Sequence, residues 1–264
     1  GAVGELCVYS SALSETEIQT LYVGDTLIAH YSFDDGTAAE DSDSSLDGTI
    51  SGATATTGQY GIGGALSFDG SDDYVEFPAA VTADVLGSSA RTICLWAVIG
   101  AFDKGTIFSY DSNSAGERFS SLTGTTTGEV FLSGWGTASY EFDVAVSGSD
   151  DGDWHHYCHT YDGTDWLLYF DGTLLHTETV ALDTGSDNPL TLGVRYSSGG
   201  YTGYFDGSID EVYVYSSALD AASIQVLYDA VTAAPTVTPL PTHVSHSTLV
   251  AHYSFDDGTA AEDS

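Results

Sequence analysis

The densest gathering of chemically capable side chains lies in the run HHYCHTY, which holds His155, His156, Cys158 and His159. Imidazoles and a thiol crowded in this way suggest a tetrahedral zinc site. A strand, however, sends successive side chains to opposite faces, which puts His155 and His159 on one side and His156 and Cys158 on the other. The run is therefore expected to serve packing. Paired carboxylates are the next candidates, because retaining glycoside hydrolysis needs two carboxyls about 5 Å apart. Glu141 and Asp143 begin such a pattern, but Val144 to Val146 supply no third acid. Asp210 and Glu211 are adjacent, so strand alternation sends them to opposite faces. Nor does the chain contain Gly-x-Ser-x-Gly, His-Glu-x-x-His or a phosphate-cradling loop. Catalysis is not expected.

These residues need elements to position them, and the surrounding pattern has period two. Leu27, Ala29, Tyr31 and Phe33 share one face of a strand while His30 and Ser32 share the other. Similar runs occupy 65–68, 73–77, 91–98, 105–110, 129–134, 155–161, 166–172, 190–194 and 209–215. Asp-Gly pairs at Asp69-Gly70, Asp162-Gly163 and Asp171-Gly172 turn the chain between several of them. The pattern predicts an all-β fold, a two-sheet antiparallel sandwich. Ser14 with Glu17, and Asp220 ahead of Ile224, mark the start of one short amphipathic helix after a final strand.

Composition agrees with a packed core and narrows the partners. The 264 residues are 42% hydrophobic, with 17 Tyr and 11 Phe, yet 39 acids against 4 bases leave a net charge of −35. A polyanion of this kind repels phosphate backbones and anionic headgroups, so nucleic-acid binding is excluded as an expectation. The apolar stretches are only a few residues long, which argues against membrane insertion. The chain opens Gly1-Ala2-Val3 and has no Met, as a mature or excised piece would.

Internal repetition organises the chain. Thr26–Ser42 and Thr248–Ser264 differ only at Ile28 and Val250, and Glu5–Tyr22 matches Glu211–Tyr228. Residues 1–22 therefore read as the end of a preceding repeat, 23–25 as a short joint and 26–228 as a complete domain. Residues 229–247 read as a Pro/Thr-rich linker and 248–264 as the first strand of a following repeat. Pro235, Pro239 and Pro241 favour extended, semi-rigid backbone in the linker. Thr232, Thr236, Thr238 and Thr242 are candidates for O-linked sugar, whereas neither Asn113 nor Asn188 begins an N-linked sequon.

LSFDGSDDYVEF (66–77), DGDWHHYCHTYDGTDWLLYFDGTLLHTE (151–178) and GYFDGSIDEVYVYSSALDAASIQVLY (203–228) resemble the laminin G-like, concanavalin A-like lectin/glucanase superfamily, and its pentraxin-like branch most. The resemblance implies a two-sheet jelly roll. It also implies a disulfide between Cys94 and Cys158, which fall on the two strands that carry one in that branch, and hence an extracellular or cell-surface setting. It implies a structural calcium near the first and last strands, where Asp34, Asp35, Asp41 and Asp210 supply hard oxygen ligands. The branch's own ligand-binding loops are not matched: these regions read AGER (115–118) and GVRYSSGG (193–200), where only Glu117 could serve and Arg195 fills the loop. Glycan recognition is the superfamily's habitual task, and Trp135, Tyr140, Tyr196, Tyr201 and Tyr204, in turn-rich stretches, are the candidates to stack on sugar rings.

Two functions follow from this reading. One is a non-catalytic repeat module of an extracellular fibre, filament or adhesin, assembling head to tail. The alternative is a calcium-dependent carbohydrate-binding module of a secreted or surface protein. Neighbouring copies of the chain are the expected partners in the first case and glycans in the second. In such a jelly roll the first and last strands are neighbours, so the strands near residues 4–9 and 249–255, each without its own domain, are expected to pair only with adjacent subunits. Cys7, matching Tyr213, is expected on an outward face.

Overall fold

Alternating apolar residues become strands because one face of each must be buried and every backbone polar group must be paired. The computed structural model describes residues 5–9, 26–38, 44–61, 64–111, 114–134, 140–197, 199–232 and 249–254. In chain order the first strands are β1 (Glu5–Tyr9), β2 (Leu27–Tyr31), β3 (Thr49–Ser51), β4 (Thr54–Thr57), β5 (Gly64–Asp69), β6 (Tyr74–Glu76) and β7 (Arg91–Ile99). Then come β8 (Thr106–Asp111), β9 (Arg118–Thr123), β10 (Glu129–Ser133), β11 (Glu141–Ala145), β12 (His155–Tyr161), β13 (Asp165–Phe170) and β14 (Thr173–Thr179). The last are β15 (Asn188–Leu192), β16 (Arg195–Ser197), β17 (Gly200–Thr202), β18 (Asp206–Tyr215) and β19 (Leu249–Ser254), with helix α1 (Ala221–Thr232) between β18 and β19.

Two antiparallel sheets form the sandwich. One runs β11-β10-β9-β8-β15-β6-β3; the other runs β14-β13-β12-β7-β18-β5-β4, with β2 also paired to β18. Between them lies a core that includes Tyr31, Phe68, Leu95, Phe108, Trp166, Leu192 and Val212. The outer face of the second sheet carries a smaller cluster of Cys94, Cys158, Tyr169 and Tyr215, covered by Leu219 and Ile224 of the α1 region. Cys94 and Cys158 are direct cross-strand partners on β7 and β12 and are joined by a disulfide.

Asp220 starts the helix as expected: its carboxylate accepts the Ser223 N–H at 2.8 Å and its carbonyl the Ile224 N–H. The helix runs to Thr232, four residues into the stretch read as linker. No breaker stands before Pro235, and Gln225 Nε2 donates to the Asp229 carboxylate one turn on. Among the described residues no helix is long and apolar enough to cross a membrane.

Two expectations need correction. Alternation does not carry through Asp210 and Glu211, because the β18–β7 register slips between Asp210 and Tyr213 and Glu211 takes a φ of 50°. The end strands, expected to pair only with other subunits, pair with each other: β1 and β19 form a separate antiparallel sheet. Their register (Leu6 with Tyr253, Cys7 with His252, Val8 with Ala251) copies that of β18 and β2 (Val212 with Tyr31, Tyr213 with His30, Val214 with Ala29). Even the irregularity recurs, between Val8 and Tyr9 in one and Val214 and Tyr215 in the other. The side chain of Cys7, and with it the question of which way it faces, lies outside the described residues, as does the helix read at Ser14.

Candidate functional site

Of the four acids read as calcium ligands, the fold brings Asp34 and Asp210 into electrostatic contact. Asp34 follows β2 and Asp210 sits in β18, which pairs with β2, so the sheet itself sets their proximity. Asp210 is buried; its carboxylate accepts the Gln59 N–H at 3.1 Å and the Glu211 N–H at 2.8 Å. Burial pushes its carboxyl up to about 7, and the charges of Glu211 and Asp34 add to this against the lowering by Gln59 N–H. Asp34 accepts the Gly64 N–H. Asp35 stands apart: it is exposed, its carboxylate accepts both N–H and hydroxyl of Thr37, and those bonds hold it below the usual range. Asp41 lies outside the described residues.

Gln59, which no motif pointed to, completes this corner. Its side chain is 2% exposed, and neither its amide oxygen nor its amide nitrogen has a hydrogen-bond partner among the described residues. A buried orphan amide on the residue whose backbone N–H bonds a desolvated carboxylate is compatible with a hard cation, which takes carboxylate and amide oxygens together. Elsewhere, the carboxylates of Asp69, Asp72 and Asp73 in the β5–β6 turn lie within 4.8 Å of one another. There the Asp73 carboxylate accepts the Asp69 N–H and the Asp69 carboxylate the Ser71 N–H, as turn-forming acids do.

The histidines separate as alternation requires. His159 is buried against Phe108 and Trp166 on the core face, and His156 against Trp96 on the outer face. Burial drives each down to about 3, so both are neutral. His155 differs: Nδ1 lies 2.8 Å from Asp171 and Nε2 3.1 Å from Asp151. Burial lowers its affinity for a proton, but the bonds to Asp171 and then Asp151 outweigh that and raise it above the ordinary range. Glu141 and Asp143 sit on β11, an edge strand, with Asp143 exposed.

The aromatic candidates meet in part. Tyr196 and Tyr201 face each other across the β16–β17 hairpin, with ring centres 6.0 Å apart, and Tyr74 lies 4.8 Å from Tyr201. The Tyr201 hydroxyl donates to the Glu76 carboxylate, and Tyr204 is near enough to be felt electrostatically. Tyr140 instead packs against the core edge, and Trp135 lies outside the described residues. Arg195 donates to the Lys104 carbonyl and the Thr106 hydroxyl, so it props its loop.

A concave site was not legible in advance. A cleft of about 680 Å³ opens where the β4–β5 connection, the start of β12, the β13–β14 turn and the end of α1 meet. Trp154 and Tyr228 supply aromatic surface over the buried Trp96, and Asp153, His155 and Asp171 supply polar groups. Trp96 and Tyr228 stack with centres 5.5 Å apart. The Asp171-Gly172 turn has φ of 48° and 72°, the paired left-handed geometry that this dipeptide allows, and it aims Asp171 back at His155 and the His156 N–H.

Residues 69–225 match the concanavalin A-like lectin/glucanases superfamily. No curated protein matches the chain. Among solved structures it is similar to domain 4 of AbnA, a GH43 extracellular arabinanase from Geobacillus stearothermophilus, in complex with arabinotriose. That pair is 21% identical with a TM-score of 0.60, covering 77% of this chain and 98% of that one. It is also similar to the binding domain of Paraclostridial Mosquitocidal Protein 1, at 12% identity and a TM-score of 0.60, covering 79% of this chain. A third is botulinum neurotoxin type C, whose cell entry depends on two ganglioside molecules, at 14% identity and a TM-score of 0.58, covering 80% of this chain. This chain spans 53% of each toxin chain. At these identities the likeness speaks for the fold.

Proposed function

The chain belongs to the concanavalin A-like lectin/glucanases superfamily, and from that premise we propose that it is a non-catalytic repeat module of an extracellular or cell-surface assembly, joined head to tail through its end strands. The observation that carries this reading is the register of β1 and β19, which repeats that of β18 and β2 partner by partner. Each end thus holds half of a strand pair that a whole domain uses internally. A two-stranded sheet alone is marginal in water, so in an array each half would be completed by the neighbouring repeat. The buried disulfide supports an oxidising environment, and a structural calcium at Asp34, Asp210 and Gln59 would tie the first strand to the last.

Cys7 provides the test, since Cys94 and Cys158 are already joined and the chain has three cysteines. His252→Cys places a second thiol directly opposite it in the β1–β19 register. Mild oxidation should give a concentration-dependent ladder of disulfide-linked multimers on a non-reducing gel. Only an internally cross-linked monomer, or no new cross-link at all, would overturn head-to-tail joining.

The second reading is saccharide recognition. Support comes from the aromatic side chains gathered at the β16–β17 hairpin and in the cleft beside α1, and from the arabinotriose held by a structurally similar domain.

A further inference from the structure

Resting on that second reading, we infer that saccharide binds in the cleft lined by Trp96, Trp154, Tyr228, Asp153, His155 and Asp171, and not at the tyrosine hairpin. The two aromatic groups differ in shape and in spare bonding capacity. At the hairpin the rings of Tyr74, Tyr196 and Tyr201 turn on one another, and the Tyr201 hydroxyl is committed to Glu76. The cleft is concave, at about 680 Å³ within the range that small ligands occupy.

Its chemistry selects a neutral polyol. Trp154 is one of the largest apolar side chains in the protein, yet it is only half-buried at the cleft wall, as is Tyr228, whose ring is backed by the buried Trp96. Flat aromatic faces of this kind match the C–H face of a sugar ring. The polar wall offers acceptors for hydroxyls: Asp153 is exposed, and the Asp171 carboxylate is fixed by His155 and by the His156 N–H. Both imidazole nitrogens of His155 face carboxylates, so its charge offsets part of that of Asp151 and Asp171. With Asp153 the wall sets three carboxylates against one imidazole, so it stays net acidic and repels an anion, while its carboxylate oxygens can accept sugar hydroxyls. Gly61 adds space, since a Cβ there would meet nothing within 4 Å. The ligand class is thus a neutral oligosaccharide, whether from a polysaccharide or a protein-linked glycan.

The test uses the whole chain in calorimetric titrations against neutral oligosaccharides, arabinotriose included, and against a glycoprotein-derived neutral glycan to separate the two sources. Binding should fall at least about tenfold, as for loss of a central aromatic contact, in Trp154→Ala, and also in Asp153→Lys, an exposed position whose change leaves the fold intact. Tyr196→Ala should bind as the parent does. If the parent binds a sugar but only Tyr196→Ala loses it, the cleft assignment is wrong and saccharide recognition stands. If the parent binds none of the probes, both are wrong.

Discussion

The guanidinium of Arg91 lies 4.9 Å from the centre of the Tyr161 ring, fully buried in a protein whose surface is overwhelmingly acidic. Its Nη1 donates to the Val85 carbonyl and the Tyr110 hydroxyl, and its Nη2 to the Gly87 carbonyl. It therefore pins the chain before β7 to the core rather than pairing with the abundant carboxylates. Arg91→Met should strand those acceptors and lower unfolding free energy by about 3 kcal/mol. Arg91→Lys should be nearly as costly, because a compact ammonium cannot span both carbonyls as the planar fork does. Urea unfolding that places Arg91→Lys within about 0.5 kcal/mol of the parent, the spread of ordinary surface changes, would contradict this.

The disulfide closes a loop across 64 positions. In the chain-entropy account such a bridge stabilises by about 4 kcal/mol. The double change Cys94→Ala and Cys158→Ala should lose roughly that amount, and reductant should destabilise the parent but leave the double variant unmoved.

Calcium should raise the melting temperature of chelator-treated protein, since a ligand held only by the folded state stabilises it by mass action. Asp210→Asn and Gln59→Leu should each abolish most of that rise. Asp35→Asn should keep it, because Asp35 is engaged with Thr37. Magnesium gives the control for simple relief of self-repulsion in a chain of net charge −35; an equal rise with magnesium would remove the site-specific claim.

His155 makes a signed prediction for pH. Its folded-state proton affinity is raised by Asp171 and Asp151 against the pull of burial. The stability it contributes is therefore complete below its unfolded value, near 6.5, and is lost as pH rises through the higher folded value. Melting temperatures across that alkaline flank should fall more steeply in the parent than in His155→Gln. Parallel profiles would show that the two carboxylates do not hold the proton.

How much of this was readable from residue order depended on where each element draws its burial. β7, β12 and β18 were legible because their own alternation of aromatic and branched residues declares a buried face. β9 and β4 were not, for their sequences, RFSSLT and TATT, look like loop. β9 is buried throughout because its neighbours enclose it, and Ser120 meets Ser109 hydroxyl to hydroxyl at 2.6 Å. The same holds at the sites. Asp34 and Asp210 could be matched to a motif, whereas Gln59 joins them only through a contact with β18 from a distant loop. The cleft draws on five separate stretches of chain, so no local spacing announced it.

The placing of the four Lys and Arg residues bears on how well the protein withstands proteolysis. A protease of tryptic specificity can cut this chain only after Arg91, Lys104, Arg118 or Arg195. Arg91 and Arg118 are buried, Lys104 rests 4.2 Å from the centre of the Phe131 ring, and Arg195 is bonded into its own loop. The Pro/Thr-rich stretch 229–247 holds neither Lys nor Arg. The chain thus presents digestive enzymes of that class with a long surface and almost nothing to bite.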